Sequence, residues 1–247
     1  MSKIETLICL AGGPGRRLGG SPIPKTLIEV QGRSLIDYSV SEFKRAGLKQ
    51  VILHIGPWVV QFQRKCEELE RELREIGCAL RIECHHDFSQ TLLGALQQCI
   101  GTLDGPFIYW DGDVIVPPGT LQKFINLSGT DYSASVACSD VMLAPTHLQI
   151  VVDGGKASAI EGRVVNPASR RLCGIGAYLF QPEVSARIIS ERHASDIDDV
   201  VRDWVNANGA LGAYEIGPCW DVVHTQDDLR RARSAKWIST ISTGSLD

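Results

Sequence analysis

The sequence predicts an α/β fold: a Rossmann-like, mixed and mostly parallel sheet with helices on both faces, plus a small additional β region. Two observations support this prediction. In the first half, short apolar runs alternate with segments of helical periodicity, which is typical of parallel strands joined by crossover helices. In the second half, strand patterns follow one another more closely, and Asp153-Gly154-Gly155 between two of them predicts a hairpin turn.

The elements of the first half follow from local patterns. Residues 4–10 form an apolar run that stops at a glycine-rich stretch, as a buried parallel strand does. Between 34 and 46 the apolar residues recur at helical spacing, and Gly47 follows as a stop signal. The same criteria predict strands at 51–55, 79–83 and 106–110, and helices at 59–76 and 91–100.

The second half contains more strands than helices. The predicted strands are 132–139, 148–152, 157–160, 176–180 and 213–216, and the predicted helices are 182–190, 197–206 and 226–236. We interpret residues 1–238 as one domain whose two halves meet near residue 130. Residues 239–247 are mostly small and polar, so we expect a flexible tail.

Composition excludes several classes of protein. The chain of 247 residues is 44% hydrophobic and 22% charged, with a net charge of −4, so it lacks the basic footprint of a nucleic-acid-binding protein. The apolar run at 7–10 is too short for a signal peptide or a membrane span. Eight scattered cysteines without a Cys-x-x-Cys pair indicate reduced thiols. We therefore expect a cytoplasmic protein without nucleic-acid or membrane partners.

The glycine-rich segment after the first strand is the strongest chemical signal. Its glycines allow the backbone to approach a phosphate closely, and its amides can form an anion-binding nest. Two arginines follow directly, and Lys25 comes after a second glycine-rich loop. The spacing is that of neither a dinucleotide fingerprint nor a Walker A loop. The segment reads Leu10-Ala11-Gly12-Gly13-Pro14-Gly15-Arg16-Arg17-Leu18.

This segment resembles the signature of the nucleotidyltransferases that activate sugar-1-phosphates, polyol phosphates and phosphocholine. Their motif is Leu-Ala-Ala-Gly-x-Gly-x-Arg-Leu followed by Pro-Lys-x-Leu, and Pro24-Lys25-Thr26-Leu27 supplies the second part. Gly12 stands where the family has an alanine. The resemblance implies that Arg17 and Lys25 are catalytic. It also implies nucleotide binding by Leu10, Ala11, Gly12, Gly13, Gly15 and Arg16.

A second signal lies at the end of the strand over 106–110, in Asp111-Gly112-Asp113. A carboxylate there, facing a phosphate-binding loop, is a hard oxygen ligand suited to Mg²⁺. The resemblance implies that Asp113 binds the catalytic Mg²⁺ and that Asp111 contacts the nucleotide. Two aspartates in a solvent-exposed turn are the alternative reading.

A third signal lies near the C-terminus, where the family has Trp-x-Asp-x-x-Thr-x-x-Asp-Leu with a second metal-binding aspartate. In the segment 220–229, the tryptophan, threonine, second aspartate and leucine match, but Asp221 comes one residue early. We expect Asp221 to reach the metal through a bulge or an altered turn. His224 is a weaker candidate. Thr225 and Asp228 are explained equally well as the cap of the last helix.

The resemblance also implies an acceptor-binding half over about 131–238, opposite a nucleotide-binding half over about 1–130. Glu161 follows a hairpin like that of the family, although the family's lysine and proline are absent after it. Gly176 lies in a strand that resembles the family's Ala-Gly-Ile-Tyr-x-Phe strand, where a tightly packed glycine is the alternative. Arg171, with Arg170, is a candidate for the acceptor phosphate.

Together these features predict a Mg²⁺-dependent transfer of a nucleoside monophosphate from an NTP, with CTP or UTP favoured, to a sugar-1-phosphate or polyol phosphate. Pyrophosphate would be released. Molybdenum-cofactor nucleotidyl transfer is one alternative, and a non-catalytic nucleotide-binding module is another. The charged helix predicted over 59–76 is a candidate surface for a homo-oligomer, although a solvated helix explains it as well.

Overall fold

The computed structural model describes residues 4–20, 22–86, 90–128, 131–143, 147–160 and 169–242. In chain order the strands are β1 (Thr6–Leu10), β2 (Glu29–Val30), β3 (Arg33–Ser34), β4 (Gln50–His54), β5 (Ala79–Glu83), β6 (Phe107–Asp111), β7 (Val114–Ile115), β8 (Ala134–Ser139), β9 (Gln149–Asp153), β10 (Lys156–Ile160), β11 (Arg170–Phe180), β12 (Leu211–Glu215) and β13 (Asp221–Val222). The helices are α1 (Leu35–Arg45), α2 (Val59–Glu75), α3 (Leu92–Ile100), α4 (Thr120–Ser128), α5 (Pro182–Ser190), α6 (Ile197–Asn206), α7 (Gln226–Ser234) and α8 (Lys236–Ser242). The mixed α/β fold is confirmed.

The chain divides into two compact units. The glycine-loop unit comprises Glu5–Gln90, Trp110–Gln122 and Cys219–Asp247. The β11 unit comprises Met1–Ile4, Thr91–Tyr109 and Lys123–Pro218. The predicted boundary near residue 130 differs from this division, because each unit is assembled from separate stretches of the chain. In the described part of the chain, none of the helices has the length and apolar character that a membrane span requires.

In the glycine-loop unit, three parallel strands lie in the order β5-β4-β1. Their buried positions are apolar, as in β1, where Leu7, Ile8 and Cys9 are fully buried. Helix α1 begins at a capping box in which the Ser34 and Asp37 side chains each bind the other residue's backbone. Two short antiparallel ladders, β2–β3 and β7–β13, complete the unit. These two ladders were not predicted, because two-residue strands leave no periodic pattern.

A second apolar cluster of this unit packs the start of α1 against the last two helices. Ile238 is buried in this cluster and Ile241 packs against it. These contacts explain why the chain beyond residue 238 continues as helix α8 to Ser242 and does not begin the expected flexible tail there. Residues 243–247 of the expected tail lie outside the described residues. The buried members are Leu18, Val30, Leu35, Tyr38, Ile115, Val223, Leu229, Ala232 and Ile238.

In the β11 unit, the strands lie in the order β6-β11-β8-β12-β10-β9. Strands β8 and β12 pair parallel, whereas β11 pairs antiparallel with both β8 and β9, and β10 pairs antiparallel with β9 and β12. The predicted helices at 182–190 and 197–206 are confirmed as α5 and α6, whereas α4 was not predicted.

Candidate active site at the glycine loop

The glycine loop leaves β1 at Leu10 and is held from one side by the end of β4 and the segment that follows it. The backbone N–H of Ala11 donates to the carbonyl of His54 over 2.8 Å, and the indole Nε1 of Trp58 donates to the carbonyl of Gly12 over 3.2 Å. The backbone of Gly12 lies directly against that of Gly56, since a Cβ at position 12 would come within 2.4 Å of the Gly56 nitrogen. This contact explains why Gly12 replaces the alanine of the related signature.

From the other side the loop is held by the short 3-10 helix Lys25–Leu27. The N–H of Lys25 donates to the carbonyl of Gly13 over 3.3 Å, and the Thr26 hydroxyl donates to the carbonyl of Ala11 over 2.8 Å. Gly15 has a φ of 61°, which favours glycine and turns the chain into the 3-10 helix Arg16–Leu18. The Arg16 and Arg17 side chains after this turn are exposed.

Asp113 lies beside the end of β1. The N–H of the preceding residue, Gly112, donates to the carbonyl of Leu10 over 3.2 Å, and a side chain at position 112 would come within 3.0 Å of that oxygen. Asp113 itself is only 4% exposed. The sequence-predicted juxtaposition of this carboxylate with the glycine loop is therefore present within one compact unit. Asp111, the last residue of β6, is partly buried.

Two nitrogen atoms meet the Asp113 carboxylate. The Lys25 ammonium forms an ion pair with Oδ2, and Nε2 of His224 lies 3.3 Å from the same oxygen. Burial by itself favours the neutral acid, but the neighbouring Lys25 charge and the His224 contact outweigh it and hold the pKa of Asp113 below its ordinary value. The site thus presents a buried, ionised carboxylate.

Asp221 is engaged elsewhere. The guanidinium of Arg231 donates from Nη2 to Oδ1 over 2.6 Å and from Nε to both carboxylate oxygens at 3.2 and 3.3 Å. The N–H of Val222 also donates to Oδ1 over 2.8 Å. Burial raises the pKa of Asp221, although the Arg231 contacts act in the opposite direction. The β7–β13 ladder pairs Asp221 with Ile115, not with Asp113.

His224 comes next to Asp113 because of the same ladder. Val222 pairs with Val114, and the N–H of Val223 then donates to the carbonyl of Asp113 over 3.3 Å. The capping box of α7 begins directly after His224, with the Thr225 hydroxyl accepting from the N–H of Asp228. From the sequence alone, His224 is only a weaker candidate for the metal. The signal in the sequence that could have raised it is its position immediately before Thr225, the residue that caps α7.

The predicted acceptor residues that the structure describes lie in the β11 unit. Arg170 donates to the Glu215 carboxylate over 2.7 Å and Arg171 donates to the Gln149 side chain over 2.5 Å. Gly176 has a φ of 77° at an irregularity of the β8–β11 ladder, so its backbone conformation is sufficient reason for a glycine. Glu161 lies outside the described residues.

The donor set at Asp113 suits a divalent cation. An ionised, buried carboxylate is a strong hard ligand, and the Lys25 ammonium on it shows that the position stabilises positive charge. Within the described ranges, no group of three or more His, Cys, Asp or Glu side chains is arranged to enclose a metal ion. Mg²⁺-type sites commonly use only one or two protein ligands and complete the shell with water and substrate phosphates. The residues therefore fit such an ion.

Comparison with known proteins places the chain in a family. A sequence profile of the MobA-like NTP transferase domain matches residues 7–161. The chain is 25% identical over 240 residues to the low-salt glycan biosynthesis nucleotidyltransferase Agl11 of Haloferax volcanii, covering 91% of the chain and 64% of that protein. It is 25% identical over 231 residues to a bifunctional IPC transferase and DIPP synthase of Rubrobacter xylanophilus, covering 90% of the chain and 49% of that protein.

The chain thus spans about half to two-thirds of the length of these curated relatives. The solved structure of the inositol-1-phosphate CTP transferase from T. maritima matches with a TM-score of 0.77 at 18% identity, covering 98% of both chains, and shows the same fold. Since the profile covers more than half of the sequence, the chain belongs to the family of MobA-like NTP transferase domains.

Proposed function

We propose that this protein is a nucleotidyltransferase that transfers a nucleoside monophosphate from an NTP to a small phosphorylated acceptor and releases pyrophosphate. One observation carries the proposal: Lys25, whose N–H binds the glycine loop at Gly13, meets the buried Asp113 carboxylate with its ammonium. A glycine-rich loop that can bind phosphate, a lysine ammonium and a carboxylate that can bind a metal ion are the parts that phosphoryl-group chemistry requires.

In the proposed reaction an oxygen of the acceptor phosphate attacks the α-phosphorus in line with the leaving pyrophosphate. The nucleophile is already an anion, so the protein needs to position charges more than to move protons. The amides of Gly12, Gly13 and Gly15 bind phosphate oxygens, and Arg17 and Lys25 offset the charge of the α-phosphate and the leaving group. Asp113 would hold Mg²⁺, which when bound supplies further positive charge at the phosphates.

The substrate class follows from the relatives and remains a proposal for this chain. The matched protein of Haloferax volcanii is named for glycan biosynthesis, and the matched solved structure is that of an inositol-1-phosphate CTP transferase. We propose a sugar-1-phosphate or polyol phosphate as acceptor, with CTP or UTP as donor. Glu161, Arg171 and Gly176 are the proposed acceptor-side residues.

Pyrophosphate release tests the proposal. A panel of the four NTPs is combined with phosphorylated sugars and polyols, with Mg²⁺ and with EDTA. Lys25→Ala and Asp113→Asn should each lower kcat by about 10²-fold or more. Lys44→Ala is the matched control, since Lys44 pairs with Glu72 on the surface and should retain wild-type turnover. Near-normal turnover of Lys25→Ala would refute the assignment.

A second candidate is nucleotidyl transfer to a molybdenum cofactor, because the matching family profile is described as MobA-like. When molybdenum cofactor is added to the same panel, this activity would appear as pyrophosphate release with one of the NTPs and the cofactor but with no sugar or polyol phosphate. Tight NTP binding without pyrophosphate release under any condition would instead favour a non-catalytic nucleotide-binding module.

A further inference from the structure

We propose that Thr26 and Trp58 are positioning residues of the glycine loop: each holds one loop carbonyl and thereby directs the next backbone N–H towards a phosphate oxygen. Thr26 directs the N–H of Gly12, and Trp58 directs that of Gly13. The inference rests on the proposed function for the presence of a phosphorylated ligand. It adds two side chains to which the resemblance assigns no role.

The first argument is that two consecutive carbonyls of the loop are each bound by a side chain from outside it. The Thr26 hydroxyl donates to the carbonyl of Ala11 over 2.8 Å. The Trp58 indole Nε1 donates to the carbonyl of Gly12 over 3.2 Å. Glycine restricts its own backbone less than any other residue does, so these contacts determine how the two peptide groups are turned.

The second argument is the geometry of the peptide bond. In a trans peptide the carbonyl of one residue and the N–H of the next point in opposite directions. The donor on the Ala11 carbonyl therefore turns the Gly12 N–H away from Thr26. The donor on the Gly12 carbonyl likewise turns the Gly13 N–H away from Trp58. A hydrogen bond to the carbonyl also polarises the peptide group, which makes its N–H a stronger donor.

The third argument is where these two N–H groups lead. Among the residues that the structure describes, none accepts a hydrogen bond from the backbone N–H of Gly12 or Gly13. One residue earlier, the N–H of Ala11 is used within the fold, since it donates to the carbonyl of His54 over 2.8 Å. A Cβ at Gly13 would lie 3.8 Å from the Lys25 Cε, so this peptide lies beside the cation of the site. Two N–H groups at such a position suit an anionic oxygen.

The fourth argument is how firmly the two donors are placed. Thr26 is buried within the short 3-10 helix Lys25–Leu27. Trp58 comes directly before α2, and its backbone N–H donates to the carbonyl of Ile55 over 3.4 Å. The intervening Gly56 packs its backbone against that of Gly12. The indole therefore reaches the loop from a segment that already touches it.

Amide NMR of the full-length chain with inorganic pyrophosphate and Mg²⁺ tests the inference residue by residue. In the wild type, pyrophosphate should shift the ¹H signals of the Gly12 and Gly13 amides downfield. Trp58→Phe keeps an aromatic ring but loses the indole N–H, so it should lose the Gly13 shift and keep that of Gly12. Thr26→Val replaces the hydroxyl with a methyl group and should do the opposite. A role confined to packing predicts no such exchange between the two variants.

Affinity and kinetics supply a second readout. Trp58→Phe should bind pyrophosphate about tenfold more weakly in calorimetry, which is the scale of a hydrogen bond to a charged group. The loop amides hold phosphates before as well as during the reaction, so KM for the NTP should rise about tenfold while kcat changes by less than about threefold. Trp204→Phe is the matched control: it removes an indole bond to the Ala210 carbonyl in the β11 unit and should keep wild-type affinity. Dispersed amide signals confirm that each variant is folded, and Thr26→Ala replaces the valine variant if that one does not fold.

Equal effects of the two variants on both amide signals would overturn the inference. Unchanged pyrophosphate affinity in folded Trp58→Phe would do so as well, as would wild-type Gly12 and Gly13 signals that do not respond to pyrophosphate. The outcome is separable from that of the proposed function. Variant-specific amide shifts without pyrophosphate release from any NTP support the positioning role and refute the enzyme. Turnover with amide shifts that do not depend on Trp58 or Thr26 does the reverse.

Discussion

Replacing Gly12 with alanine tests the most constrained point of the glycine loop. A Cβ at this position would lie 2.4 Å from the Gly56 nitrogen and 2.7 Å from both the Gly56 Cα and the Ile55 carbonyl carbon. All three are backbone atoms, so no side chain can rotate away. Ordinary van der Waals contact begins at 3.4 Å, and the two backbone segments must therefore separate by about 1 Å.

The expected cost follows from that displacement. Overpacking in a well-packed region costs about 1–3 kcal/mol, and backbone-to-backbone overlap places Gly12→Ala at the upper end. For a chain of this size, each kcal/mol lowers Tm by about 2–4 °C, so the variant should unfold about 4–12 °C below the wild type. Since displacement of a substrate-positioning group by about 1 Å costs about 10²-fold in rate, kcat/KM should fall by that order.

Thermal unfolding followed by circular dichroism, with the pyrophosphate assay in parallel, measures both effects. Gly13→Ala is the matched control, because the nearest atom to its Cβ is the Lys25 Cε at 3.8 Å, an ordinary contact. Its Tm should stay within about 2 °C of the wild type. A Gly12→Ala protein with an unchanged Tm, or one no less stable than Gly13→Ala, would refute the packing argument.

Three further predictions concern stability. Glu42→Gln should lower the free energy of unfolding in urea by about 1–3 kcal/mol. The buried Glu42 carboxylate accepts hydrogen bonds from the N–H groups of Gly119 and Leu121 at 2.9 Å, and the amide NH₂ of glutamine would face one of these donors. An unchanged urea midpoint would contradict this role. Burial, with neighbouring carboxylates, raises the pKa of Asp198 to about 6. Between about pH 4 and pH 6 the native state therefore keeps a proton on Asp198 that the unfolded state has released. The free energy of unfolding falls as the pH rises through this range, by up to about 3 kcal/mol. Asp198→Asn should remove this pH dependence and should be more stable than the wild type at pH 8. Denaturant unfolding at pH 4 and pH 8 measures both effects, and an unaltered pH dependence in the variant would disprove the role of Asp198. Thr225→Val removes the hydroxyl that caps α7, so it should lower the free energy of unfolding by about 1 kcal/mol. It should also speed amide hydrogen exchange in the first turn of α7. Unchanged exchange there would count against the cap.

Elements with a local cause were predictable from the sequence. The helices at 182–190 and 197–206 are confirmed to the residue, because apolar spacing and flanking cap residues specify a helix within its own segment. Helix α8 was missed for a different reason. Its isoleucines acquire a role only when they pack on a cluster built from residues distant in the chain.

The sequence by itself determined the longer strands, the glycine loop and the approach of Asp113 to that loop, because strand periodicity and the position of a loop at a strand end are local properties. Only the tertiary structure decided which side chain faces Asp113. That choice depends on the register of β7 against β13, a pairing of distant segments, and a one-residue slip in such a ladder changes which side chains meet. The register gives Asp221 to Arg231 and places His224 at the buried carboxylate.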